Sequence, residues 1–288
     1  MSTTFVALNR ANYARRKGGS WIMAFLCTMA ALLGIVLLGL ILYTLLEKGI
    51  GGLALSVFTE PMRARGGGLA NAMIGTLIQT GLGTLIGTPL GMAAGIYLAE
   101  VGRNGRFASV VRFVNDILLS APSVLVGLFV YQIVVFPMHA FSGLAGSIAL
   151  ALLAMPVIAR TTEDIMKLVP DSYREGSIAL GARHSTTIGR VIVPAAFGGI
   201  LTGILLAIAR ISGETAPLLF TSLGSYAWPT SLTQPMASLP IAIYKDAASP
   251  YPELTKLAWA GALIITFAVL LFNVVSRLSH HLVSRGGK

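Results

Sequence analysis

The stretch GGGLANAMIGTLIQTGLGTLIGTPLGMAAGIYLA, residues 66–99, contains no charged side chain. A bilayer core of roughly 30 Å is crossed by about 20 apolar residues in a helix, so this run is long enough to span it. Gly83, Gly87, Gly91 and Gly95 recur at four-residue steps and therefore share one helix face. A face without side chains lets another helix approach closely, and close packing is what holds helices together in lipid. The pattern predicts a helix–helix contact, with a partner in this chain or in a second one. Pro89, inside the run, predicts a kink.

The same absence of charge recurs along the chain. Gly18–Leu46, Ile117–Ala159, Val191–Ala209 and Leu257–Ser276 are also uncharged. The second of these is too long for one helix and divides at the turn-like Pro137-Met-His139-Ala-Phe-Ser-Gly143. The reading is an all-α membrane protein with six transmembrane helices, at about 21–46, 70–98, 117–136, 144–160, 191–212 and 257–278. The first is too long for the apolar region of a signal peptide, and no small-residue cleavage site precedes Glu47 and Lys48, so it reads as a retained span. Thr215–Tyr244 is uncharged too. Pro217, Pro229, Pro235 and Pro240 each remove a backbone donor that lipid cannot replace, so a loop or re-entrant segment is expected there.

Composition agrees. Of 288 residues, 55% are hydrophobic and 11% charged, and the mean hydropathy is +0.79. Soluble domains average about a quarter charged. These values exclude a disordered chain, a nucleic-acid-binding domain and an ordinary cytosolic enzyme, and they leave no room for a large soluble domain beside the spans. The net charge of +10 is resolved loop by loop. With both termini cytoplasmic, fifteen Lys and Arg residues fall inside and five fall outside (Lys48, Arg63, Arg65, Lys245 and Lys256), leaving Arg210 within a span. Positive residues stay on the cytoplasmic side, which supports this topology. The chain divides into a basic tail (1–20), one transmembrane domain (21–278, with a cytoplasmic loop at about 161–190) and a second tail (279–288). The single cysteine, Cys27, excludes an intrachain disulfide and reads as a small buried hydrophobe. His139, His184 and the adjacent His280 and His281 form no cluster with other reactive side chains, and solvated or interfacial positions are expected for all four.

Two polar constellations stand out. In the loop from Arg160 to Pro194, Ser172 and Glu175 have the spacing of a capping box, and Gly181 is a natural C-terminal stop. The helix between them places Tyr173, Gly176, Ser177 and Leu180 along one side. Such a short helix is marginal alone in water, so it rests on the chain's own membrane domain or docks on another protein. The second constellation is Arg210-Ile-Ser-Gly-Glu214-Thr-Ala-Pro217. A charge near the centre of a membrane helix costs ~2.5–3.5 kcal/mol on insertion scales. Arg210 and Glu214 are four residues apart and can pair. They form either a structural bridge or an anion contact, in which the arginine fork binds the anion. In the second case Glu214 neutralises Arg210 when the path is empty, and Ser212 and Thr215 add hydroxyls nearby. Arg210 follows Pro194 by about 24 Å of helix, between the midplane and the outer face.

Glu175-Gly-Ser-x3-Gly181-x9-Val191-x-Val-Pro194 resembles the EAA motif of ABC importer permeases, Glu-Ala-Ala-x3-Gly-x9-Ile-x-Leu-Pro, with Gly176 and Ser177 for the alanines and valines at the last apolar positions. Three further segments narrow the resemblance: Gly67–Thr76 with Pro89-Leu-Gly91 and Ile96–Glu100, then Pro122-Ser-Val-Leu-Val-Gly127, then Arg210-x-x-Gly213-Glu-Thr-Ala-Pro217-Leu-Leu-Phe220. Together, over roughly residues 67–278, they are similar to PstA-type permease subunits of bacterial phosphate ABC importers. The resemblance implies a type I ABC importer permease fold in the cell (inner) membrane and the import of inorganic phosphate. It implies a substrate path at Arg210, Ser212, Glu214 and Thr215. It also implies a coupling helix carrying Tyr173, Glu175, Gly176, Ser177, Leu180 and Gly181 in a groove of an ATPase. The partners implied are a second, PstC-like permease, two PstB-like ATPase subunits that hold ATP and Mg, a PstS-like periplasmic phosphate-binding protein, and lipid.

No G-x-x-x-x-G-K-[ST] occurs in the chain, so it does not cradle ATP by that motif. A non-catalytic subunit without a cofactor or metal of its own is expected. The competing readings are a permease for phosphonate, sulfate or molybdate, an ion-gradient-driven carrier, and a membrane enzyme. No inverted repeat supports the carrier, and no reactive cluster supports the enzyme.

Overall fold

The computed structural model describes the backbone of residues 2–102 and 105–285; the side chains of His280 and His281 lie outside the described residues. Helix α1 (Ser2–Ile50) is continuous, so the basic segment expected as a separate tail is helical and runs directly into the first span. Its apolar stretch is exposed, and only its outer end is covered: a Cβ on Gly49 would stand 2.8 Å from Leu263 Cβ. Cys27 is therefore exposed and not buried as the sequence suggested, because among the described residues no element packs on that part of α1.

A short helix α2 (Leu55–Thr59) leads to α3 (Ala70–Ile96), which passes through Pro89 as one element and ends in a π turn, Tyr97–Val101. The single helix expected at 117–136 is instead a broken pair. Helix α4 (Arg106–Ser120) and helix α5 (Ser123–Val130) meet at a 106° bend, and α5 continues through a π turn (Tyr131–Val135) into α6 (Phe136–Met138). Pro122 explains the break. It has no N–H to donate and forces the preceding residue out of the helical region, and Ala121 is extended at φ −65°, ψ 137°.

Helix α7 (Gly143–Leu168) starts at Ser142, whose hydroxyl accepts from the Ala145 N–H at 3.1 Å. It is the central helix: α3, α4, α5, α10 and α11 all pack against it. Its cytoplasmic end runs past the expected limit at Ala159–Arg160, stabilised in part by Arg160 donating to Asp164 one turn on, at 3.2 Å. There follow α8 (Asp171–Ala179), α9 (His184–Thr187) with a π turn (Ile188–Ile192), and α10 (Val193–Ile211). The proline-rich stretch forms two short helices, α11 (Ala216–Thr221) and α12 (Leu239–Ala247), joined by a loop. Pro217 and Pro240 sit in their first turns, where the missing N–H costs nothing. The last helix is α13 (Pro252–Arg285). Among the described residues, five helices are long and apolar enough to span, and the bent pair makes a sixth.

The glycine face of α3 lies on α7 of the same chain. A Cβ on Gly83 would stand 2.9 Å from Leu150 Cβ, and one on Gly87 3.0 Å from the Ala151 carbonyl. On Gly91 it would stand 2.7 Å from the Met155 carbonyl, and on Gly95 2.6 Å from the Ala159 carbonyl. Three of these four neighbours are backbone carbonyls, so the two helix backbones are in direct contact over three turns. This contact fixes the position of both ends of the molecule relative to each other.

Candidate functional site

At the cytoplasmic end, α8 exposes its apolar residues instead of burying them. Tyr173 and Ile178 are more than half exposed, Leu180 is 90% exposed, and Leu168 lies nearby at 75%. No residue of α8 is buried. Glu175 and Gly176 are exposed as well, and nothing lies within 4 Å of a Cβ built on Gly176. The capping box does not form. The helix starts at Asp171 after Pro170, no side chain caps it, and Ser172 lies within the first turn. Proline at the cap supplies the extended entry (φ −57°, ψ 142°) that a serine cap would otherwise fix. The C-terminal stop does form. Gly181 adopts φ +79°, its N–H donates to Ile178 O at 2.8 Å, and the Ala182 N–H donates to Ser177 O at 3.2 Å. That pair of bonds is the Schellman closure that a left-handed glycine permits.

Ser177 does not share the open face with Tyr173, Gly176 and Leu180. Its hydroxyl lies 2.9 Å from the Thr187 hydroxyl and ties α8 to the segment leading into α10. The principal anchor is Arg174, between the exposed positions. Its Nη2 donates to Glu100 Oε1 at 2.6 Å and to Met166 O at 2.9 Å, and its Nη1 donates to Val169 O at 2.6 Å. Hydrogen bonding to Glu100 raises the Arg174 pKa above its ordinary value against the opposing effect of burial. A second ionic group lies beside it. Glu163, nearly fully buried, accepts from Arg112 Nε at 2.7 Å and from Lys167, while Arg112 Nη2 caps Leu98 O at 3.0 Å. Sequence reading missed Glu100, Arg112, Glu163 and Arg174. Only the Glu163–Lys167 spacing was a local signal.

At the outer end, two of the segments that carry the resemblance, Pro122–Gly127 and Arg210–Phe220, meet in space. A Cβ on Gly127 would stand 2.6 Å from Pro217 Cα, so α5 and α11 touch backbone to backbone. Asn71, fully buried, accepts from the Met62 N–H at 2.9 Å and donates to the Tyr226 carbonyl at 3.1 Å, which pins the outer loop to α3. Thr76 Oγ1 accepts from the Leu239 N–H at 2.8 Å and fixes the start of α12.

Arg210 occupies the last turn of α10, where a cation complements the helix dipole. Its side chain is exposed, on the same stripe as Thr202, Leu206 and Gly213. Among the described residues no ion pair joins Arg210 to Glu214. The helix ends at Ile211 and the chain turns at Ser212 and Gly213, so Glu214 never reaches the i+4 position that pairing needs. Thr215 lines a cavity of about 680 Å³ with Ala209, Pro240 and residues of α13, and Ser212 lines an adjoining apolar cavity of about 320 Å³ between α3, α10 and α13. Of the four residues, Arg210 is exposed, Glu214 is half-buried and not bonded to it, and Ser212 and Thr215 line grooves beside α13. His139, left-handed at φ 51° in the turn after α6, and His184 are both exposed.

The family model described as "Binding-protein-dependent transport system inner membrane component" matches residues 87–286. The chain is 54% identical over 274 residues to the phosphate transport system permease protein PstA of Yersinia pestis, covering 92% of this chain and 93% of that one. It is 49% identical to the protein of the same name from Haemophilus influenzae, covering 91% and 94%. It is 40% identical to a probable PstA from Methanocaldococcus jannaschii, covering 89% and 92%. Among solved structures, the inward-facing MetNI methionine ABC transporter superposes with a TM-score of 0.60 at 17% identity, over 76% of this chain and 95% of that one. That likeness is one of fold.

Proposed function

The chain belongs to the family of binding-protein-dependent transport system inner membrane components, and from that premise we propose that it is the membrane-spanning permease subunit of an ATP-driven importer of inorganic phosphate. The observation that carries the reading is the similarity to phosphate permeases along nine-tenths of the chain. The guanidinium of Arg210 on α10, exposed and without an ion pair among the described residues, fits it. Phosphate at neutral pH carries one to two negative charges, and its passage through lipid needs a positive group along the path. A planar fork presents paired donors to an oxyanion. Because Glu214 does not neutralise it, Arg210 is ready for the anion without a bond to break first.

ATP hydrolysis belongs to two separate ATPase subunits, and α8 is the element that docks on one of them. Its exposed surface carries Tyr173, Ile178 and Leu180 together with Glu175 and the bare Gly176, and large apolar side chains left open on a cytoplasmic helix suit a groove in a protein partner. A second, homologous permease completes the path, and a phosphate-binding protein delivers the cargo at the outer face. The nearest alternative is another oxyanion, which Arg210 would also serve. Inhibitors separate the ATP-driven reading from a gradient-driven one. Phosphate uptake should stop with vanadate and continue when ion gradients are dissipated, and the reverse pattern would sink the reading.

Gly181 gives a local check on the docking helix. A β-branched side chain in the left-handed region costs about 1–2 kcal/mol, which is roughly a 5- to 30-fold change in the population of the closed turn. Gly181→Val should lower phosphate-dependent ATP hydrolysis by that order while the chain still inserts. Gly181→Asn, which tolerates the left-handed region, should retain most of it. Equal activity in the two variants would mean that the closing turn does not position the docking face.

A further inference from the structure

The elements that hold α8 in place are two π turns. Glu100 lies in the first, Tyr97–Val101, at the cytoplasmic end of α3. Thr187 immediately precedes the second, Ile188–Ile192, at the start of α10. A π turn carries one extra residue in the helical ladder and is a common site of functional distortion. From α8, Arg174 reaches the first turn and Ser177 reaches Thr187, the last residue of α9 before the second. The rest of α8 is exposed, so these two side chains are its main attachments to the membrane domain. The two attachments are unequal. The Ser177–Thr187 contact is a single neutral hydrogen bond. Arg174 makes a two-pronged contact with Glu100 and also donates to two carbonyls, Met166 O and Val169 O, at the end of α7. The guanidinium thus joins the ends of α3 and α7 to α8. Those two helices are locked together along the glycine face, and α7 packs on α10, which carries Arg210.

Resting on the permease reading, we propose that Arg174 and Glu100 are the positioning pair that transmits movement of the docked α8 to the membrane helices. The pair touches neither cargo nor nucleotide. Its role is to make α8 and the cytoplasmic ends of α3 and α7 move as one body. Without it α8 still presents Tyr173, Ile178 and Leu180 to the ATPase, but it swings on the Ser177 bond and on the chain connection alone. Docking and hydrolysis then survive while the transport step fails.

The test uses the whole transporter in proteoliposomes and reads three quantities: complex yield, ATP hydrolysis, and phosphate moved per ATP hydrolysed. Glu100→Gln should leave the yield and the hydrolysis rate within about twofold while phosphate moved per ATP falls at least tenfold; Arg174→Gln should lower the ratio as far, with a lower yield because it strands the buried Glu100 carboxylate. Arg174→Lys keeps the charge but lacks the fork that reaches a carboxylate and two carbonyls together, so its ratio should fall severalfold. Exchanging the charges, Arg174→Glu with Glu100→Arg, should recover part of the ratio lost in either single reversal. A purely structural pair would instead lower yield and hydrolysis in step, with an unchanged ratio in the complexes that assemble, and that result overturns the proposal. If Arg174→Gln does not assemble, Arg174→Lys decides: a lowered ratio supports the proposal and a wild-type ratio overturns it. The wild-type complex separates this inference from the functional reading. Failure of the wild type to move phosphate would sink the functional reading. Normal wild-type transport with normal ratios in the variants would overturn only the role of Arg174 and Glu100.

Discussion

Replacing Arg210 with Gln is expected to abolish phosphate uptake while insertion and assembly survive. Arg210 is exposed and makes no ion pair with Glu214, so no packing contact or buried bridge is lost with it. What is lost, on the proposed reading, is the cation that meets the anion. Removing one partner of a desolvated charge contact costs about 2–5 kcal/mol, so uptake should fall roughly thirtyfold or more. Arg210→Lys should recover little, because an ammonium lacks the planar fork. Neutralising Glu214 together with Arg210 should not restore uptake. In a structural bridge such a double change would rescue function, since no unpaired charge would remain. Tracer phosphate uptake, with complex yield measured alongside, checks all three variants.

The second large effect is expected at Gly91. A Cβ there stands 2.7 Å from a backbone carbonyl and 2.9 Å from Ile158 Cβ. The carbonyl cannot rotate away as the far end of a flexible side chain would. Gly91→Leu must therefore separate α3 from α7 along their whole contact. Overpacking typically costs about 1–3 kcal/mol, and more where backbone has to shift. The yield of folded complex should fall by at least tenfold. Gly81→Leu is the control. It adds the same side chain to the same helix at a place where nothing lies within 4 Å, and its yield should be close to wild type. Similar yields from the two variants would show that the close approach of α3 and α7 does not hold the domain together.

The spans were legible because lipid imposes a simple requirement on sequence. About 20 uncharged residues announce a crossing wherever they occur, and prolines that leave unmet backbone groups argue against one. The four glycines were legible as a contact for the same reason, although only the folded chain shows that α7 is their partner. The bend at Pro122 was not read, since the uncharged run continues through it and the charged start of α4 lies outside the run. The short helix α8 was legible from its spacing and its closing glycine, but its start was not: Ser172 and Glu175 fit a capping box, and Pro170 had already fixed the helix entry. Its anchor, Arg174 to Glu100, joins residues far apart in the chain, and no local pattern reports such a pair. The Arg210–Glu214 pairing failed because helical spacing was extended beyond the end of the helix at Ile211.

The most direct measurement of the central claim is made on the reconstituted transporter with its binding protein. ATP hydrolysis is recorded as the binding protein is loaded in turn with phosphate, sulfate, molybdate or a phosphonate. Phosphate should stimulate hydrolysis and be accumulated inside the vesicles, and both responses should be lost together in Arg210→Gln. Stimulation and accumulation by one of the other anions in place of phosphate would contradict the assignment.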